Sequence, residues 1–301
     1  MRYRSIDLIA GGVVVVVALM TPAQTPSAHD KAFWRGVAQA KFAVPAGESL
    51  PAMVAELGGY LGSPDPELRD DIAYSTLASW IYQQKVVPVE LRRALLAQWT
   101  NDLTRGIGER DTDAVFRRSF SALALGLLVI ADNEAPYLDK AEFDRTLAAS
   151  LGYLAAERDI RGFDATKGWM HSVAHTADLL KFLARSRHLQ PAQQARVLAA
   201  ATDKVGAVDT VLTHGEDERL ARAILSIAAR PDFDEPGFRT WASSLAPPRA
   251  TGPPTPASLA AAQNRKNLAV SLYAVLSTDR RNLPTVHAAR DIVLAVLRTR
   301  M

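Results

Sequence analysis

From residue 31 almost to its end, this chain repeats apolar residues at the three-and-four spacing of amphipathic helices. The pattern predicts helices over 31–42, 48–61, 66–84, 88–105, 112–131, 139–158, 167–186, 191–206, 216–230, 234–245, 257–277 and 283–300. Breakers separate them: Pro64 and Pro66, Pro88, Gly106 and Gly108, Pro136, Gly162, Pro191, Gly215, Pro231 and Pro236. Asp139 with Glu142 fits a capping box, and Asp111 with Asp113 supplies acid at a first turn. No alternating β-branched stretch is long enough for a central strand.

Taken in pairs, these helices recur at roughly 40–50 residues, the range of HEAT-like repeats. The spacing predicts an all-α fold of stacked antiparallel helix pairs, a HEAT-like α-solenoid, with a closed α/α barrel as the alternative. No repeated consensus accompanies it. Ala122 to Ala131 carries no charge but is shorter than the roughly 20 residues a membrane span needs, so it reads as a core helix. Ala246 to Ala257 (APPRATGPPTPA) is Pro-rich and cannot continue a helix. It divides a main helical domain, 31–245, from a C-terminal helix pair, 258–301.

The amino terminus breaks the amphipathic pattern. Arg2 and Arg4 precede an apolar run from Leu8 to Met20 that includes five consecutive valines, Val13 to Val17. Small residues follow at Thr21-Pro22-Ala23 and again at Pro26-Ser27-Ala28. This is the layout of a secretory signal peptide ending at residue 23, or as late as 28. It predicts an exported, periplasmic protein; the alternative is an uncleaved inner-membrane signal anchor, the only case that would hold the chain to a membrane.

Composition narrows the function classes. Of 301 residues, 48% are apolar and 22% charged, an ordinary globular balance. The net charge is only +3 and the basic residues are dispersed, so the chain lacks the footprint of a nucleic-acid binder. There is no Cys, which excludes disulfides, thiolate metal sites and Cys nucleophiles.

The most informative segment runs from Arg161 to Asp178, RGFDATKGWMHSVAHTAD. On a helix, His171, His175 and Asp178 stand at i, i+4 and i+7 and share one stripe. Val173, Ala177, Leu180 and Ala184 form a stripe on roughly the opposite side. Two His and a carboxylate are the ligand set of many catalytic zinc sites, so a divalent transition metal is a candidate cofactor. The zincin pattern needs Glu directly after the first His, and Ser172 stands there. The same three side chains could equally form a buried hydrogen-bonded network. Further polar patches open other predicted helices: Asp70 and Asp71; Arg117, Arg118 and Ser119; and Glu216, Asp217, Glu218 and Arg219 after His214. Acids at helix starts usually serve the dipole. Ser119 and Ser172 lack the G-x-S-x-G setting of a nucleophilic serine, and there is no GxGxxG, P-loop or EF-hand loop.

In the segments LRDDIAYSTLASWI (Leu68–Ile81), DAVFRRSFSALAL (Asp113–Leu125), YLAAERDIRGF (Tyr153–Phe163), KGWMHSVAHTADLL (Lys167–Leu180) and EDERLARAI (Glu216–Ile224), the chain resembles the domain of unknown function 2785 family, over roughly residues 45–280. The family's usual form has Ala where Met170 stands and Gly where Thr176 stands, and neither departure touches the His/His/Asp stripe. The resemblance implies an all-helical fold, implies no activity, and joins the separate patches as parts of one pattern.

Two functional readings follow. The first is a cell-envelope binding or scaffold protein whose polar pocket is built from Lys167, Trp169, His171, His175, Asp178, Arg117 and Arg118, and whose partner is an envelope protein or a small polar ligand. The second is a metal-dependent hydrolase in which His171, His175 and Asp178 hold the ion and Glu109, Glu157 or Asp217 is the base.

Overall fold

The computed structural model describes residues 29–247 and 252–300. Residues 1–28, where the signal peptide is expected, and residues 248–251 of the Pro-rich stretch lie outside the described residues. Among those described, the chain is helical apart from one hairpin of two-residue strands.

The amino-terminal helices are α1 (Lys31–Gln39) and α2 (Leu50–Tyr60). A continuous helical stretch follows, called α3 here: a π-helical segment Glu67–Tyr74, one α turn Ser75–Ala78, and a second π-helical segment Ser79–Gln83. The remaining helices are α4 (Val89–Asp102), α5 (Ala114–Glu134), α6 (Lys140–Ala156), α7 (Ser172–Leu183), α8 (Pro191–Ala207), α9 (Glu216–Ala228), α10 (Glu235–Ala242), α11 (Pro256–Ser277) and α12 (Pro284–Arg300). Each expected helix is present. The capping box of α6 forms as its sequence predicts, with Asp139 accepting from the Glu142 amide and Glu142 accepting from the Asp139 amide.

The helices stack in two rows. One row runs α3, α5, α7, α9, α11, each packed on the next; the other runs α4, α6, α8, α10, α12. α4 covers α5, α6 covers α7, and α8 covers α9. α11 packs on α8 and α9, and α12 on α10 and α11, so the last two helices extend the stack. Helix α5 is long and apolar enough to cross a membrane, but 78% of its apolar window is buried, and it forms the core of the first row beside α7. One continuous apolar core joins Trp34, Trp80 and Trp99 at one end to Leu272 and Val293 at the other. Burying these large side chains is the main driving force for the stack, each contributing about 1.5–3 kcal/mol relative to exposure.

The departure that matters for function is at α7. The predicted helix begins at 167, but the observed one begins at Ser172. A hairpin precedes it, pairing Phe163 with Trp169 and Asp164 with Gly168. Asp164 drives this turn: its Oδ1 accepts from the amides of Thr166 and Lys167, both at 2.8 Å, and from the Thr166 hydroxyl at 2.6 Å. Those bonds hold its carboxylate down at about 2. Gly168 turns the chain with φ +73, a conformation disfavoured for residues with a Cβ.

Candidate functional site

The amino-terminal ends of the first-row helices meet at one edge of the stack. Arg69 of α3 donates to the Lys167 carbonyl at 2.8 Å, Ser119 of α5 reaches His175 of α7, Arg219 of α9 reaches Asp178 of α7, and Asn264 of α11 holds the loop before α9. Helix α7 lies at the centre and is buried on every face from Ser172 to Leu180. Its histidines and Asp178 therefore point into neighbouring helices and loops. They do not form an open stripe.

His171 is the N-cap residue of α7 and has left-handed backbone angles, φ 48 and ψ 36. Such a conformation is uncommon outside Gly, although Asn, Asp and His adopt it more readily than other residues. Its side chain does not cap the helix. The ring stacks on the indole of Trp169 at 4.1 Å between centroids and meets the rings of His175 and His214 edge-on at 5.6 and 6.4 Å. His171 is 8% exposed, and its Nε2 is buried without a hydrogen-bond partner. Burial, followed by the positive charge of Arg219, lowers its pKa to about 4, so the ring is neutral near pH 7.

His175 lies deeper. Its Nδ1 is 2.8 Å from Ser119 Oγ, and its ring packs edge-on against Phe120 at 4.8 Å. Burial, reinforced by His171 and Arg219, pushes its pKa well below the usual value. Asp178 faces another way, accepting from Lys181 Nζ at 2.9 Å and from Arg219. The phenol of Tyr74 in α3 is pushed up to about 12, first by burial and then by the Asp178 charge. The expected set of three ligands therefore does not converge. His171 stands outside the helix, and Asp178 is engaged by two cations. Among the described residues no group of three or more His, Asp or Glu side chains is placed to hold a metal ion.

The other expected site residues divide. Trp169 is at the mouth, 40% exposed, edge-on to the exposed Phe163 ring at 4.8 Å. Lys167 sits beside it but pairs with Asp113 at 2.6 Å. Arg117 points across to α2, donating to the carbonyls of Gly58 and Gly59. Arg118 is fully buried, paired with Glu157 at 2.6 Å and donating to the carbonyls of Arg105 and Gly106. Arg118 is an internal clamp, and Arg117, partly exposed, ties α5 to α2; both are engaged away from Trp169 and His171. The suggested bases are also placed elsewhere: Glu157 is held by Arg118 and by the amides of Arg158 and Asp159, Asp217 by Ser271, and Glu109 by Thr112.

Sequence reasoning left out three contributors. Arg69 has no exposed surface and lies over the faces of Phe116 and Phe120, at 4.1 and 4.7 Å from their centroids, while bonding to Asp70, Ser63 and Lys167. His214 meets the Trp169 ring edge-on at 5.9 Å, and its amide donates to buried Glu216 at 2.8 Å. Gly162 makes room for it, because a Cβ there would overlap the His214 ring. Asn264 fixes this loop by accepting from the Leu212 amide and donating to the Thr210 carbonyl, both at 2.9 Å.

Fold and site together define a stacked-helix protein with a neutral, buried His pair under an exposed tryptophan at the edge where the first-row helices begin. The chain belongs to the family described as protein of unknown function (DUF2785), which matches residues 103–274. That range holds the α5, α7 and α9 segments of the site and stops short of α3. No curated protein and no solved structure matches the chain.

Proposed function

We propose that this is an exported, HEAT-like binding protein of the cell envelope, with a small polar ligand held at the mouth formed by Trp169, His171 and His214. One observation carries the reading. His171 Nε2 is a buried polar atom with no partner in the protein, held by a left-handed backbone directly behind an exposed indole. A buried group left unsatisfied costs about 1–3 kcal/mol. A ligand that hydrogen-bonds this nitrogen while resting on Trp169 and Phe163 recovers that cost and covers the aromatic surface. The signal-peptide layout of residues 1–28 supports placement in the envelope.

The test is native mass spectrometry of mature protein purified without a tag from its own envelope fraction, beside the His171→Asn and Trp169→Ala variants. A small molecule retained by the wild type and lost from both variants supports the reading. Equal retention by all three, or retention by none, overturns it. Amino-terminal sequencing of the same preparation tests export, and an intact Met1 in the membrane fraction would refute cleavage.

A further inference from the structure

A second cavity, of about 490 Å³, opens on the other row of helices, between the carboxy-terminal halves of α6 and α8. Its wall is apolar and made of small side chains: Leu151 and Ala155 from α6, Ala199, Ala200 and Ala207 from α8, and Val208 beyond it. Alanines facing each other across two helices leave space that larger residues would fill. The volume lies within the about 300–1,000 Å³ typical of small-ligand sites. The cavity shares Arg110, Arg158, Ile160 and Asp209 with a neighbouring cleft of about 390 Å³ that reaches His214.

The rim is cationic. Arg110, Arg158, Arg196 and Lys204 all line the cavity. Among the described residues none of the four lies within ion-pair distance of a carboxylate. Of the acids that line the same cavity, Glu157 is already neutralised by Arg118, while Asp203 and Asp209 are exposed at its edge. Lys204 is 6% exposed, with its ammonium donating to the Glu157 carbonyl at 2.7 Å. Burial lowers its pKa to about 8, which leaves it mostly charged at neutral pH.

We propose that this cavity binds a single-chain anionic amphiphile, with its aliphatic tail along the alanine wall and its carboxylate or phosphate head at Arg158, Arg196 and Lys204. The chemistry is specific in both halves. Guanidinium forks match the planar carboxylate and the phosphate, and an uncharged pocket of alanines has nothing to offer a polar tail. This proposal uses none of the residues of the Trp169–His171 mouth, so either can fail without the other.

The experiment is isothermal titration calorimetry of the mature chain with dodecanoate and with dodecyl phosphate, both below their micellar concentrations. Dodecanol serves as the neutral control and inorganic phosphate as the tailless one. Saturable one-to-one binding of either anion, absent for both controls, is expected. The Arg158→Gln/Arg196→Gln variant, altered only at exposed positions, should weaken it about tenfold or more. Ala200→Phe, which fills the cavity from a half-buried position, should abolish it while melting within a few degrees of the wild type. Preference between the two anions separates a fatty carboxylate from a lipid phosphate as the source of the head group. Equal binding of dodecanol, no binding of either anion, or binding indifferent to both variants overturns the proposal. Adsorption to phosphatidylglycerol vesicles without binding of the free amphiphiles also overturns it, since that would be a surface effect.

Discussion

The Nδ1 of His175 lies 2.8 Å from the Oγ of Ser119, and that same Oγ donates its proton to the Met170 carbonyl. A carbonyl can only accept, so the hydroxyl proton is committed there. His175 must then be the donor to Ser119 through Nδ1–H, which leaves Nε2 as the bare nitrogen. Ser119 is fully buried and its proton points away from the imidazole. This is the reverse of the arrangement in which a His activates a serine nucleophile.

Removing the hydroxyl should therefore act on stability. In Ser119→Ala the buried His175 donor and the Met170 carbonyl both lose a partner, and a loss of about 1–3 kcal/mol is expected. Urea unfolding followed by circular dichroism measures it. An unchanged midpoint would mean that the three groups are not linked as described.

The two buried histidines make the fold sensitive to acid. Both have folded pKa values below the ordinary 6.5, His171 at about 4 and His175 well below its ordinary value, in each case first through burial. Between pH 6.5 and 4 the unfolded chain binds protons that the folded chain refuses, so their contribution is complete above 6.5 and declines as the pH falls through this window. The midpoint temperature should drop between pH 7 and 4. His171→Asn, which keeps a residue tolerant of left-handed angles but removes the imidazole, should flatten part of that slope. A parallel pH dependence in the variant would contradict the placement of His171.

Arg118 and Glu157 form an ion pair with almost no solvent exposure, 0% and 2% at the side chains. Truncating one partner strands a buried charge, and such losses run to about 3–5 kcal/mol. Arg118→Ala should accordingly be expressed poorly or melt far below the wild type. A stable Arg118→Ala protein with altered ligand retention would instead return Arg118 to the pocket.

Gly162→Ala tests how the mouth is assembled. The added methyl overlaps the His214 ring, which is 37% exposed at its side chain and has room to swing outwards. The fold should survive, whereas the His214–Trp169 contact should not. Fluorescence of Trp169, read against a Trp169→Phe background, should shift in the variant. No shift would indicate that His214 does not touch the indole.

Helix content and helix order were legible because a period of 3.6 and Pro or Gly punctuation recur in nearly every segment, and the α6 cap could be read letter by letter. The start of α7 was not. Trp169, Val173 and Ala177 keep helical spacing through the hairpin, so the apolar period masks the Asp164–Gly168 turn, although Asp-Ala-Thr-Lys-Gly is itself a turn signal. Placing His171 on the helix made a ligand stripe of residues that point three ways. The arginines misled for a different reason: a basic pair at a helix start reads as surface, and only the tertiary packing shows Arg118 meeting Glu157 across 39 positions of sequence. Arg69 and His214 carried no signal for the site, since the groups that place them there, Phe116, Phe120 and Lys167 for Arg69 and Trp169 for His214, lie far along the chain.

The most direct measurement is the side-chain ¹⁵N resonance of His171 Nε2 in the purified protein, before and after addition of the small-molecule fraction of an envelope extract. A ligand at the mouth predicts a shift at His171, lost in Trp169→Ala, with His188 on the far side of the stack unmoved. An unmoved His171 signal, or equal movement of every histidine, would contradict a ligand site at this residue.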